Sequence, residues 1–150
     1  SMTKISLDTL GVSQLNARYC DAVIRRDSDA WRSLWHREGR WYFLGEWIEG
    51  QDAVVARWEA AMSGFPVVYH LINSEIIDAT SVEASSRVYI DEEIITADGD
   101  ALRFIGVYND HCVKEGDKWL YLSRRFDLIY QGPGALNRNG WTGYPADIID

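Results

Sequence analysis

Three stretches of this chain set an ionisable side chain in the middle of an apolar strand face. Residues 87–95 alternate so that Val88, Ile90, Glu92 and Ile94 share one side. Around residue 70 the shared face is Val68, His70 and Ile72, and around residue 110 it is Tyr108, Asp110 and Cys112. Burying an ionisable group without a partner costs several kcal/mol or shifts its pKa. Three such intrusions imply a polar patch inside an apolar pocket, the form a small-molecule active site takes in a sequence. Imidazole titrates near neutrality, so His70 suits proton transfer, and a facing Glu92 carboxylate would orient it and raise its basicity. Tyr19, on the inner face of the first helix, can donate a hydrogen bond to a substrate oxygen. Each residue also has a plainer reading. His70 can be structural, Tyr19 a core aromatic, and Asp110 an acid that only fixes Arg or Tyr side chains. Glu92 can form a salt bridge with Arg103 or Arg124, or a different register can turn Asp91 or Glu93 inward. In Arg124-Arg125-Phe126-Asp127, one arginine turned inward would stabilise an anion or enolate.

Other chemistries lack their signatures. The chain has no Gly-x-Ser-x-Gly elbow and no phosphate-cradling glycine loop. It has no His-x-x-x-His or Cys-x-x-Cys spacing, so neither a metal nor another cofactor is expected. What remains is acid–base chemistry: elimination of water or another leaving group, double-bond isomerisation, aldol-type cyclisation or hydration.

The composition narrows the partners. A length of 150 residues gives one domain with a real core, and the net charge of −8 would repel nucleic acid. No apolar segment has the length of a membrane span, no signal peptide opens the chain, and Cys20 and Cys112 suit a reducing cytoplasm as unpaired thiols. Seven Trp and eight Tyr are many for this length and could line a cavity for a flat, mostly apolar ligand. Trp41, Phe43, Trp58, Met62, Phe65 and Tyr108 are the expected wall.

The elements that must position these residues run helices first, then strands. Ser13 is expected to cap a helix with Leu15, Tyr19, Ala22 and Val23 on one face, ending near Arg26 and preceded by an extension over 1–10. Asp27-Ser28-Asp29 caps a second helix bearing Trp31, Leu34 and Trp35, and a strand covers 40–44. Gly50-Gln51-Asp52 opens a third helix that Gly64 and Pro66 stop. Four strands follow, near 67–78, 82–96, 101–114 and 118–131, joined by Asp- and Gly-rich turns. The result is an α+β domain, helices packed on one face of a curved antiparallel sheet. Gln131-Gly132-Pro133-Gly134 breaks the last strand, and the tail over 131–150 carries Trp141 and Tyr144. It either frays or folds back, over a cavity mouth or onto a neighbouring subunit.

Arg18-Tyr19, Asp27-Ser28-Asp29-Ala30-Trp31, Leu34-Trp35, Ile48-Glu49-Gly50-Gln51-Asp52-Ala53-Val54, His70, Tyr108-Asn109-Asp110 and Trp119 together resemble the SnoaL-like branch of the nuclear-transport-factor-2-like superfamily. The likeness spans about residues 10–130 and is specific for fold rather than reaction. It implies an α+β cone, a curved sheet wrapped against a long helix around a deep pocket. That family includes polyketide cyclases, ketosteroid isomerase, scytalone dehydratase, bile-acid 7α-dehydratase, a lindane dehydrochlorinase and non-catalytic binding or partner subunits. By resemblance, His70 matches the catalytic histidine of the dehydratases and the dehydrochlorinase. Tyr19 matches a helix-one tyrosine, Glu92 a catalytic acid of the bile-acid enzyme, and Asp110 the protonated oxyanion-hole acid of the isomerase. The chain departs from these relatives at Ile24, where they carry a catalytic Asp, with Asp21 a turn away. It departs also at Phe43, the position of the isomerase's base, and at Leu128, near a late Arg.

These readings imply a cofactor-independent lyase, dehydratase-like, or an isomerase acting on a cyclic or aromatic small molecule. His70 would be the base, Glu92 its orienter, Tyr19 the donor and protonated Asp110 its assistant. The competing expectations are a non-catalytic pocket for a hydrophobic metabolite, and an accessory subunit of an aromatic-ring dioxygenase with a filled interior. The family implies self-association as a homodimer or homotrimer.

Overall fold

A computed structural model describes residues 6–147. Helix α1 runs Leu7–Arg25, and its N-cap is Ser6, whose hydroxyl accepts from the backbone N–H groups of Asp8 and Thr9. The start therefore lies well before Ser13. Leu7 and Leu10 stand exposed and break the apolar periodicity that would have marked the first turns. Ser13 sits inside the helix and gives its hydroxyl to Glu75 at 2.5 Å. Arg26 closes α1 in the left-handed region at φ 57, and its guanidinium donates to the Met62 and Phe65 carbonyls at 2.5 and 2.6 Å. One arginine thus ends the first helix and ties down the C-terminal end of the third.

Asp27 caps the short α2, Ser28–Arg32, by accepting from Ala30 N at 3.0 Å. Trp35, expected on that helix, instead opens strand β1, Trp35–Phe43, which is longer than its apolar core suggested. Leu44 and Gly45, both at positive φ, turn the chain into β2, Glu46–Glu49. Helix α3 spans Gln51–Ser63, and the long strands are β3 Val67–Ala79, β4 Glu83–Ile95, β5 Ala101–Glu115 and β6 Lys118–Pro133. They form one curved, unclosed six-stranded sheet in the order β2-β1-β6-β5-β4-β3. All neighbours are antiparallel except β1 and β6, which pair in parallel, so the sheet is mixed.

Helices α1, α2 and α3 pack on the inner face. The core there is aromatic: Trp31 stacks on Trp58 with centroids 4.6 Å apart, and Trp35, Trp41 and Tyr121 lean on the same cluster. Gly106 on β5 lies under the Phe126 ring of β6. A Cβ at that position would run into the ring, which glycine avoids.

Strand β3 carries the irregularity that matters most. From the β3–β4 turn, Ala79 faces Ala84 and Ser74 faces Tyr89; beyond a bulge between Ile72 and Ser74, the register shifts so that His70 faces Glu92. Without that shift His70 would face Glu93, and β3 would present Tyr69 and Leu71 inward rather than His70 and Ile72.

Beyond Pro133, the described part of the tail folds back on its own chain. The Glu93 carboxylate accepts from Ala135 N and Leu136 N, each at 2.8 Å; Trp141 meets Tyr69 edge-on, and Tyr144 lies under the Arg25 guanidinium. The tail therefore covers the outer side of β3 and β4 and guards the edge strand β3. Replacing Glu93 with Gln removes the charge that holds both amides. Limited proteolysis should then cut within 135–147 at least about tenfold faster, while the melting temperature falls by only a few degrees. Cutting unchanged from wild type would show that the carboxylate does not hold the tail. Among the described residues, no helix is long and apolar enough to cross a membrane.

Candidate active site

His70 and Glu92 are directly opposed across β3 and β4, and His70 Nδ1 lies 2.6 Å from Glu92 Oε2. His70 is 1% exposed, whereas the Glu92 side chain keeps 23%, so the imidazole is deep and the carboxylate stands at the mouth. With Nδ1–H donated to the carboxylate, Nε2 holds the free lone pair. Tyr19 of α1 and Tyr108 of β5 complete the group, with ring centroids 5.8 and 6.0 Å from the imidazole. The Tyr108 hydroxyl donates to that of Tyr19 at 3.4 Å. Burial pushes the Tyr19 phenol up to about 12, against the lowering influence of Arg124, and burial raises Tyr108 as well. Both phenols stay protonated at neutral pH and serve as donors.

These four residues line a niche of about 60 Å³, walled by Trp41, Phe43, Trp58, Met62, Phe65 and Phe126. Every aromatic or methionine residue expected as wall is present, and Phe43 stacks on Trp41 at 4.2 Å. Outside it opens a vestibule of about 310 Å³, lined by Phe43, Leu44, Phe65, Ile94, Leu102, Phe104, Phe126, Leu128 and Gln131, with Glu92 at its floor. Sequence reasoning missed this outer chamber. The strand parity that placed Tyr108 inward also places Phe104 and Leu102 inward, and that signal could have found it.

Asp110 falls elsewhere. It does not line the niche; its carboxylate accepts from Arg124 Nε at 2.9 Å, both side chains being almost wholly buried. Burial pushes the Asp110 carboxyl up to about 6 while Arg124 acts to lower it, so at neutral pH the group is chiefly ionised. The expected protonated, donating Asp110 is thus corrected to the anion of a buried ion pair. Burial by itself would lower the Arg124 value, but Asp110 together with Tyr121, Tyr19 and Tyr108 more than offsets this and the net shift is upward. The guanidinium carbon sits 4.2, 3.7 and 4.3 Å from the ring centres of Tyr19, Tyr108 and Tyr121. Arg124 is therefore the inward arginine, held behind the tyrosine pair. Its neighbour Arg125 points out, pairing with Asp127 over the Tyr42 ring.

The plainer readings of Glu92 find other occupants: Arg103 binds Asp91, and Glu93 holds the tail. Asp21 pairs with Arg25 on the exposed side of α1, so the first helix brings no acid into the niche. His111 and Cys112 are adjacent in sequence but on opposite sides of β5. Cys112 is fully buried and His111 lies near Glu83, so they form no nucleophile pair. Among the described residues, no group of His, Cys, Asp and Glu gathers as metal ligands would.

Comparison with known proteins agrees with this architecture. A family model described as the SnoaL-like domain matches residues 5–125. No curated protein matches the sequence. A solved structure of a putative scytalone dehydratase from Novosphingobium aromaticivorans superposes at TM-score 0.79 and 15% identity, covering 96% of this chain and 96% of that one. A hexachlorocyclohexane dehydrochlorinase, type 2, gives TM-score 0.77 at 15% identity over 95% of this chain and 99% of the other. A protein of unknown function from Mycobacterium tuberculosis reaches 24% identity at TM-score 0.73, over 81% of this chain and 72% of that one. At such identities these likenesses establish the fold.

Proposed function

The chain belongs to the SnoaL-like domain family, and on that premise we propose that it is a cofactor-independent acid–base catalyst, a dehydratase-like lyase or an isomerase, acting on a cyclic or aromatic small molecule. The observation that carries the reading is the 2.6 Å contact of a buried imidazole with a carboxylate at the cavity mouth. His70 Nε2 removes a proton from a carbon next to an activating carbonyl or leaving group. Glu92 holds the ring through Nδ1–H and stabilises the imidazolium that forms. Negative charge developing on the substrate oxygen is met by the Tyr19 hydroxyl, itself held by Tyr108. Arg124 lies over both phenol rings and favours charge there, and Asp110 keeps Arg124 in place. Loss of a leaving group from the adjacent carbon gives an alkene; return of the proton to another carbon gives an isomer. The dehydratase and dehydrochlorinase names among the structural neighbours agree with this class.

The first step can be tested without the natural substrate. In deuterated buffer, the protein should accelerate hydrogen–deuterium exchange at the carbon next to the carbonyl of 2-tetralone, followed by NMR. Tyr19→Phe should slow that exchange by about 10²-fold, the scale of one oxyanion donor. Exchange by the wild-type protein no faster than in buffer would discard the acid–base reading.

A further inference from the structure

Among the described residues, two that are not glycine hold a positive φ: Arg26 at 57 and Leu44 at 51. For side chains of this size that region of the backbone is an outlier, and it persists where something else requires it. Arg26 shows its reason, since the same residue closes α1 and gives its guanidinium to two carbonyls at the end of α3. Leu44 has no such reason inside the folded chain. It is the first central residue of the two-residue turn between β1 and β2, a position with positive φ that favours asparagine, aspartate or glycine. Its side chain is 63% exposed, so it adds little to the core. Backbone preference therefore speaks against leucine here, and packing does not speak for it.

The surroundings of the turn supply the missing reason. Leu44 lines the vestibule, as does Leu128 of β6, which is itself 41% exposed. Phe43, just before the turn, stacks on Trp41 at 4.2 Å and carries the Arg57 guanidinium 4.9 Å over its ring. The turn thus stands on an anchored strand and holds its leucine at the mouth. Two leucines lining one chamber leave apolar surface in water that a molecule inside would cover.

We propose that Leu44 is a retention residue for the cavity's ligand: the turn keeps a strained backbone so that this leucine covers the apolar part of a bound molecule, and stability is given up there for tighter binding. This deepens the acid–base reading by adding a binding residue to the same cavity, yet its test measures melting and binding alone. Thermal melting of the unliganded protein reports the strain, and the uncharged fluorescent ketone Prodan reports binding. Leu44→Asn gives the turn an Asn-Gly sequence, which suits positive φ, and does not loosen the unfolded chain as glycine would. That variant should melt about 2–4 °C higher than wild type. It should also bind Prodan about tenfold more weakly, the worth of a mostly exposed leucine that no longer becomes buried. Leu44→Ala removes the cover and keeps the positive φ, so binding should weaken by a similar factor with no gain in melting temperature. Leu128→Asn, within a strand, should weaken binding as well but lower the melting temperature. A melting temperature of Leu44→Asn at or below that of wild type would overturn the proposal. So would Prodan affinity of Leu44→Asn within about twofold of wild type, or no binding of Prodan by wild type. The expected pattern without isotope exchange by the wild-type protein would leave Leu44 in this role and remove the catalytic reading; exchange without the pattern would do the reverse.

Discussion

His70→Ala should lower the exchange rate of bound 2-tetralone by about 10²–10⁴-fold, the usual worth of a positioned general base. The substitution removes the nitrogen proposed to take the proton and keeps the niche, its phenols and the vestibule. The loss should therefore fall on turnover, with little change in the ligand concentration for half-saturation. Glu92→Gln is the informative companion. It keeps an oxygen within reach of Nδ1–H but removes the charge that stabilises the imidazolium. A smaller loss of about tenfold to 10²-fold is expected, as is usual when an orienting partner rather than the base is altered. If the two residues act as a pair, the double variant should be little worse than His70→Ala alone, since an orienter without its base has nothing to orient. A loss below tenfold in His70→Ala would end the assignment, whatever happens at Glu92.

The largest effect on stability is expected at Arg124. Arg124→Leu leaves the Asp110 carboxylate buried without its cation, and breaking a buried pair this way typically costs about 3–5 kcal/mol. Against total stabilities of about 5–15 kcal/mol, that brings the protein close to unfolding. The pH dependence identifies the cause. Asp110 titrates in the folded wild-type protein at about 6, above its ordinary value of about 4. The folded state therefore takes up a proton between these values that the unfolded chain does not. The stability from this group is present at the acid end of that window and is lost as pH rises through about 6. Removing Arg124 removes the influence that holds the value down, so the carboxyl rises further and its penalty at neutral pH grows. Urea unfolding should show Arg124→Leu much weaker than wild type at pH 8 and partly recovered at pH 5. The double variant Asp110→Asn/Arg124→Leu should regain at least half of the loss at pH 8. Equal destabilisation at both pH values would mean that lost packing against the three tyrosines, rather than the stranded charge, sets the cost.

Much of this site could be read from residue types at alternate strand positions. An imidazole and carboxylates on aliphatic faces marked the inner surface of β3, β4 and β5, and His70, Glu92 and Tyr108 all lie on it. What the pattern could not supply was the alignment between strands. Counting back from the β3–β4 turn sets His70 against Glu93; only the bulge between Ile72 and Ser74 brings Glu92 opposite. A bulge follows from tertiary twist and leaves no fixed residue signature in one sequence. The state of Asp110 was hidden for a similar reason, because its partner lies on β6, and only the β5–β6 register sets Asp110 opposite Arg124. Ser6 carries no clear cap signal because exposed leucines follow it, and Trp35 reads equally as helix or strand because a tryptophan suits either. The fold is legible all the same because it depends on the order of elements and the sidedness of the long strands, and those repeat over many residues.

The parallel contact between β1 and β6 has a consequence in time. Every other strand pair joins neighbours along the chain and can close as a local hairpin, whereas this one joins the early strand to the last. Pairings between distant segments bear the entropy of closing a long loop and are slow to form. The hairpin half carrying His70, Glu92 and Tyr108 can therefore assemble before the wall strand bearing Trp41 and Phe43 docks. Until it does, a greasy, half-built cavity is open to other chains. During synthesis that interval lasts until β6 leaves the ribosome, so this fold is most exposed to aggregation before its last strand emerges.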